Sequence, residues 1–301
     1  MSVPVRLAAF AAVLGLLLLA GLGVGRAVGP VGASAPEPMA GGHAEEQEPV
    51  DDGHADEPEP AEGGHAEDAD AGHGEGPSGV TGLAVSQDGY TLRAPTTAEV
   101  GTSDLSFVVE GPDRAPVTEY DLTHERELHL VVVRRDTTGF QHLHPERAAD
   151  GTWSTPLTLD EPGAYRVYAD FAPAGEPART LATDLLVAGA STPQPWPAPT
   201  TSTTVDGFDV RLTGDLHAGE ESDLLFEVTR DGAPVELEPY LGALGHLVVL
   251  REGDLGYLHV HADEGALEFA TTAPSTGRYR LFLQFQVDGV VRTAELTQEA
   301  R

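Results

Sequence analysis

The sequence predicts an all-β chain built as two tandem β-sandwich domains. They follow an N-terminal transmembrane or signal helix and a disordered, acidic, His-rich linker. Three observations carry this. From about Val80 onward, short runs rich in Val, Leu, Thr and Tyr alternate apolar with polar residues. These runs are punctuated by Asp-Gly pairs at 88–89, 150–151, 206–207, 231–232 and 288–289, a strong hairpin signal. And the region is an internal repeat with a period near a hundred residues, too long for a solenoid unit and right for a sandwich.

The elements follow in order. Residues 1–30 are expected to form a signal anchor or signal peptide, because Leu7 to Gly25 runs without a charge after Arg6. Nineteen helical residues span about 28 Å, close to the hydrocarbon core of a bilayer. That length favours an uncleaved anchor. "ASA" at Ala33 to Ala35, followed by Pro36, leaves a cleaved signal peptide as the other reading. Either way the rest is exported: a single-pass membrane protein with an extracytoplasmic C-terminal region, or a secreted one.

Residues 31–79 are expected to be disordered. The tract repeats Gly/Asp/Ala-Gly-His-Ala/Gly beside Asp and Glu, places His43, His54, His65 and His73 in this setting, and offers almost nothing apolar to bury. Such histidines beside carboxylates collect divalent cations weakly, or merely space the folded part from the membrane.

Residues 80–190 form the first sandwich and 205–301 the second, with the Pro/Thr-rich linker 191–204 between them. "ELHLVVVRRDTTGFQHLHP" (Glu127 to Pro145) lies without a gap over "LGHLVVLREGDLGYLHVHA" (Leu244 to Ala262), and "GAYRVYADF" (Gly163 to Phe171) over "GRYRLFLQF" (Gly277 to Phe285). Tyr165, Val167, Ala169 and Phe171, like Tyr279, Leu281, Leu283 and Phe285, form the apolar face of a strand against a core. The Gly-x-Tyr opening each of these strands is the sequence of an Ig-type tyrosine corner.

Charge and composition exclude several functions. The formal charge is -32, which repels a phosphate backbone and argues against nucleic-acid binding, while favouring cationic partners such as metal ions. The chain has no Cys, hence no disulfide, thiolate metal site or cysteine nucleophile. With no G-x-S-x-G elbow and no H-E-x-x-H helix either, it reads as a non-enzyme.

What recurs with chemistry in it is a histidine triplet. His129, His142 and His144 match His246, His259 and His261, at spacings of thirteen and then two in both copies. His124 and His217 have no histidine counterpart. On a strand, His at i and i+2 share a face, roughly 7 Å apart at Cα, and two such imidazoles can lean onto one metal at about 2.0–2.1 Å. If Arg135 pairs with Phe140, His129 faces Glu146 and lies diagonal to His144 on one face with His142, and any even loop keeps the three together. Asp263 stands in the second copy where Glu146 stands in the first. Each hairpin therefore offers three imidazoles and a nearby carboxylate, a donor set for Cu(II) or Zn(II). Met1 and Met39 are the only methionines, which does not suit Cu(I).

At these residues the chain resembles a family of exported actinobacterial proteins described as heavy-metal-binding. It is similar, more distantly, to the YtkA-like and CopC-like β-sandwich modules of copper handling. The resemblance runs from about Gly82 to Ala300. It rests on the two hairpins quoted, "GTWSTPLTLDEPGAYRVYADFAPAG" and "GRYRLFLQFQVDGVVRTAEL". It implies an Ig-like fold and a metal role. Ala262 stands where the first copy has Pro145, and no Met-rich Cu(I) site is present.

Two functions are expected from this. One is an extracytoplasmic metal-binding protein that buffers or delivers Cu(II) or Zn(II), anchored through its N-terminal helix and handing metal to an envelope protein partner. The other is a non-catalytic Ig-like adhesion or assembly module of the cell envelope, its histidines structural.

Overall fold

The structure is a computed structural model that describes residues 79–258, 260–262 and 265–301, with the backbone alone for His261. The segment expected to form the N-terminal helix, the acidic tract with His43, His54, His65 and His73, and His259 and Asp263 lie outside the described residues. No helix among the described residues is long and apolar enough to cross a membrane.

The first half contains β1 (Val80–Thr81), β2 (Ser86–Gln87), β3 (Tyr90–Arg93), β4 (Thr97–Ala98), β5 (Gly101–Glu110), β6 (Tyr120–Asp121), β7 (Leu128–Arg134), β8 (Gln141–Leu143), β9 (Glu146–Arg147), β10 (Thr152–Leu159), β11 (Gly163–Pro173) and β12 (Arg179–Val187). The second contains β13 (Ser202–Val205), β14 (Phe208–Thr213), β15 (Glu221–Arg230), β16 (Ala233–Pro234), β17 (Gly245–Arg251), β18 (Tyr257–Leu258), β19 (Val260–Ala262), β20 (Glu268–Thr272), β21 (Gly277–Val287) and β22 (Val290–Ala300).

Four of the five Asp-Gly pairs close two-residue hairpins: β2–β3, β13–β14, β15–β16 and β21–β22. In each, both residues have positive φ, as at Asp288 (54°) and Gly289 (70°), the type I′ geometry that matches strand twist. Asp150-Gly151 differs, since only Gly151 is left-handed and the Asp150 carboxylate instead accepts the Thr152 N–H at 2.9 Å.

Each half is an Ig-like β-sandwich. Sheets β2-β3-β5-β10-β9 and β4-β12-β11-β7-β8 enclose one core, and sheets β13-β14-β15-β20-β19 and β1-β18-β17-β21-β22 the other. The predicted faces of β11 and β21 point into these cores: Tyr165, Val167, Ala169 and Phe171 join Phe107 and Trp153, while Tyr279, Leu281, Leu283 and Phe285 join Phe208 and Phe269. Both tyrosine corners form. The Tyr165 hydroxyl donates to the Glu161 carbonyl, and Tyr279 to Ser275, each at 2.8 Å.

The sandwiches are joined by more than the linker. A third apolar cluster lies between them: Val131, Val133, Tyr168 and Ala182 from the first meet Val248, Leu250, Leu255, Tyr257 and Phe282 from the second. This explains why "HLVVV" and "HLVVL" do not alternate. Odd and even residues are both buried, one set in a sandwich core and the other against the neighbouring sandwich. Duplication makes the contact pseudo-two-fold. Phe140 stacks on Phe282 (centroids 4.0 Å, planes 8° apart), and the corresponding Tyr257 meets Tyr168 (5.5 Å, 52°). β1, within the span assigned to the first sandwich, pairs instead with β18 of the second. The linker also docks, with Gln194 N–H donating to Asp136 at 2.8 Å and Trp196 packing on the interface cluster.

Candidate metal centre

The site begins with strand β7. Leu128, Leu130 and Val132 face the first core, so by strand parity His129, Val131 and Val133 face the second sandwich. The returning β8 pairs Leu130 with Leu143, Val131 with His142 and Val132 with Gln141, a register that carries His129 opposite His144. The expected Arg135–Phe140 pairing does not occur. A buried Arg134–Asp136 ion pair organises a longer turn, with Thr137 and Gly139 at positive φ and the Asp136 carboxylate also accepting the Thr138 hydroxyl at 2.8 Å. The shift is by an even count, so all three imidazoles still share one face.

They come close together. Ligand nitrogens of His129, His142 and His144 all lie within 4.8 Å of one another. His129, 2% exposed, places Nδ1 3.0 Å from His142 Nε2. The outward nitrogens settle the tautomers. His129 Nε2 lies 2.9 Å from the Thr123 carbonyl, which can only accept, so Nε2 carries the proton. His142 Nδ1 lies 2.6 Å from Gln284 Oε1, again an acceptor, while the Gln284 amide nitrogen turns to the Thr293 hydroxyl at 3.4 Å. In the neutral rings this leaves two lone pairs, on His129 Nδ1 and His142 Nε2, facing each other with no proton between them. His144 Nε2 is buried and has no hydrogen-bond partner. Two basic nitrogens thus face each other without a donor between them, and the His144 ring brings a nitrogen within 4.8 Å of both.

The rings are held neutral. Burial, aided by the neighbouring His129, pushes His142 down to about 3 and His144 down to about 4. Burial also lowers His129, against the Thr123 carbonyl and Asp170, and it holds His246 well below the usual imidazole range, with His142 next in effect. Desolvation disfavours the imidazolium, so protons compete weakly for these nitrogens at neutral pH.

Two further imidazoles close the nest. His246, from β17 of the second sandwich, stacks on His142 (4.7 Å, 25°) and His129 (5.6 Å, 11°). His124 stands edge-on to His129 (5.9 Å) and His246 (5.4 Å). His124, which has no histidine counterpart in the second copy, belongs to the nest as well. Thr123 and Arg126 exchange two backbone hydrogen bonds around His124 and Glu125, both left-handed, and this turn also aims the Thr123 carbonyl at His129. Its one sequence signal is proximity to His129 in a short strand connection. Gln284 has none, because it lies 142 residues from the ring it touches.

Glu146, the one other sequence-predicted ligand of this hairpin, does not join them. Glu146 is exposed on β9 opposite Ser154, outside the three-histidine donor set. In the second copy β18 repeats the register, Val249 with Leu258, but His246 is turned to the nest of the first copy. His259 and Asp263 lie outside the described residues. His261 is described only as backbone in β19, opposite Ala270.

One family model, described as Domain of unknown function (DUF8832), matches residues 84–188 and again 203–301. No curated protein matches the chain. Among solved structures, InvD of Yersinia pseudotuberculosis is 14% identical, with 71% of this chain and 58% of that chain covered and a TM-score of 0.23. Invasin, described as a bacterial integrin-binding protein, is 14% identical over 72% of this chain and 41% of that one, with a TM-score of 0.23. The N-terminal Ig1-2 module of the Drosophila receptor protein tyrosine phosphatase DLAR is 9% identical over 70% and 98%, at 0.20. The chain thus spans about three-fifths or less of the two bacterial structures. At these TM-scores the likenesses carry no inference about the chain.

Proposed function

The chain belongs, through both sandwiches, to the family described as Domain of unknown function (DUF8832), and we propose from that premise that it is a non-catalytic, extracytoplasmic metal-binding module. Its histidine nest holds Cu(II) or Zn(II) for buffering or delivery outside the membrane. One observation carries the reading: the 3.0 Å approach of two lone-pair nitrogens whose outward N–H groups are already committed to Thr123 and Gln284. Metal-bound histidines characteristically donate the other ring N–H to such acceptors. With ligand bonds of about 2.0–2.1 Å, nitrogens 3.0 Å apart subtend roughly 90°, the cis angle of tetragonal Cu(II), and opening to about 3.4 Å gives tetrahedral Zn(II). The net charge of -32 favours cations as partners of the chain. On this reading the histidines of the N-terminal tract act as weak collectors, and a membrane anchor and an envelope acceptor complete the route.

The test is calorimetric titration of the full chain with Cu(II) and with Zn(II). The reading requires binding tighter than tens of micromolar that is lost in His142→Ala plus His144→Ala. Binding that is weak, or indifferent to those substitutions, refutes it.

A second reading is an adhesion or assembly module with structural histidines. It draws support from the fact that His129 and His142 each have one nitrogen satisfied within the protein. It expects ring signals in nuclear magnetic resonance that do not respond to added metal.

A further inference from the structure

Sequence repetition suggests one metal per sandwich. The geometry points to a different arrangement: we propose that the chain holds a single metal between its sandwiches, and that its occupation clasps the two domains together. This rests on the metal-binding reading above and assigns the roles within it. The first sandwich supplies the ligands His129, His142 and His144. The second supplies their support. Gln284, on β21 and 6% exposed, reaches across to His142 Nδ1, and His246 on β17 covers the His142 ring from the same side.

Gln284 is therefore a positioning residue. Its amide fixes which His142 nitrogen carries the proton, and so which one is free to ligate. Thr293, the cross-strand neighbour of Gln284, accepts from the amide nitrogen and keeps the oxygen turned toward the nest. The consequence is reciprocal coupling. If docking of the second sandwich prepares the site, metal binding must stabilise that docking by the same factor. The two halves also meet through Phe140 on Phe282 and through the Tyr168 hydroxyl donating to the Leu255 carbonyl at 2.6 Å, so the clasp closes an interface that is already apolar and packed.

The experiment uses the full chain with His43, His54, His65 and His73 replaced by Ala, titrated with Zn(II) against a chromophoric chelator. One strong site per chain is expected. Gln284→Leu, close in volume to the native side chain, should weaken it about 10–100-fold. Gln284→Glu, which keeps an acceptor, should restore it. Thermal unfolding without metal, near wild type for both variants, would show that the fold is intact. The paired change His259→Ala plus His261→Ala should leave the strong site in place. Two equivalent sites, one of them lost with that paired change, would overturn the shared-site inference and leave metal binding standing. So would Gln284→Leu binding as wild type while His142→Ala does not bind. Absence of any strong site in the unaltered nest would overturn the metal-binding reading and this inference with it.

Discussion

Thr123 to Arg126 and Tyr240 to Ala243 form the same turn, each closed by two reciprocal backbone hydrogen bonds. In the first, the left-handed residues are His124 and Glu125. In the second they are Leu241 and Gly242. The same divergence appears along the strands that follow. Leu128 fills its core where Gly245 stands in the second copy, and a Cβ at Gly245 would meet Leu267 at 2.4 Å and the Gln284 carbonyl at 2.8 Å. Asp170, opposite His129, corresponds to Gln284, opposite His246. Duplication produced two like faces, and substitution then divided the work between them. The first face carries the convergent ring nitrogens, and the second carries the neutral amide that orients one of them.

The largest test of this division is at the aromatic contact. Phe282 is fully buried between the sandwiches, whereas its partner Phe140 is only partly so. Phe282→Ala should cost about 3–5 kcal/mol, Phe140→Ala clearly less. Chemical denaturation should show the Phe282 variant unfolding in two steps, one per sandwich. Equal losses and a single shared transition would mean that the face is not the joint.

Zinc should come next in size. At a free concentration about 100 times its dissociation constant it should add about 2.7 kcal/mol to the stability of the chain. His129→Ala should abolish the gain, and His217→Ala, outside the nest, should keep it. A gain that survives His129→Ala would place the metal elsewhere.

Acid should act on the metal-free nest in a defined direction. The unfolded chain takes up protons on histidine near pH 6.5, while His142 and His144 resist until about 3 and about 4 in the folded state. Stability is therefore fully present above about pH 6.5 and falls as pH drops through the window below it. The difference in melting temperature between pH 7 and pH 5 should shrink in His142→Phe plus His144→Phe. No change in that difference would show that these rings are not held neutral by burial.

The smallest effect compares the corners. Tyr165→Phe and Tyr279→Phe should each cost about 1 kcal/mol, the net worth of one hydrogen bond. Tyr279 also meets the Ser275 hydroxyl at 3.2 Å, so its loss should be the larger by a few tenths of a kcal/mol. A negligible cost at both would make the corners incidental.

Much of this is legible in the sequence alone. Asp-Gly spelled the two-residue hairpins because two left-handed residues in a row suit few other pairs. The alternation in Tyr165 to Phe171 spelled a core-facing strand, and the i, i+2 spacing of His142 and His144 put two rings on one side. The four apolar residues after His129 and after His246 break the alternation because both faces are buried, which only the structure shows. The predicted loop register missed because the Arg134–Asp136 pair is a buried charge arrangement that turn propensities do not contain.

What the sequence determined by itself is whatever depends on neighbours along the chain: strand period, turn handedness, and the parity that keeps three imidazoles together through a shift of register. Only the tertiary structure decided that His246, His124 and Gln284 meet those imidazoles, where one sandwich faces the other. The reason is physical. Side-chain direction follows from local backbone geometry, but docking of one sheet on another follows from the complementarity of two surfaces over a hundred residues apart, and no period in the chain records it.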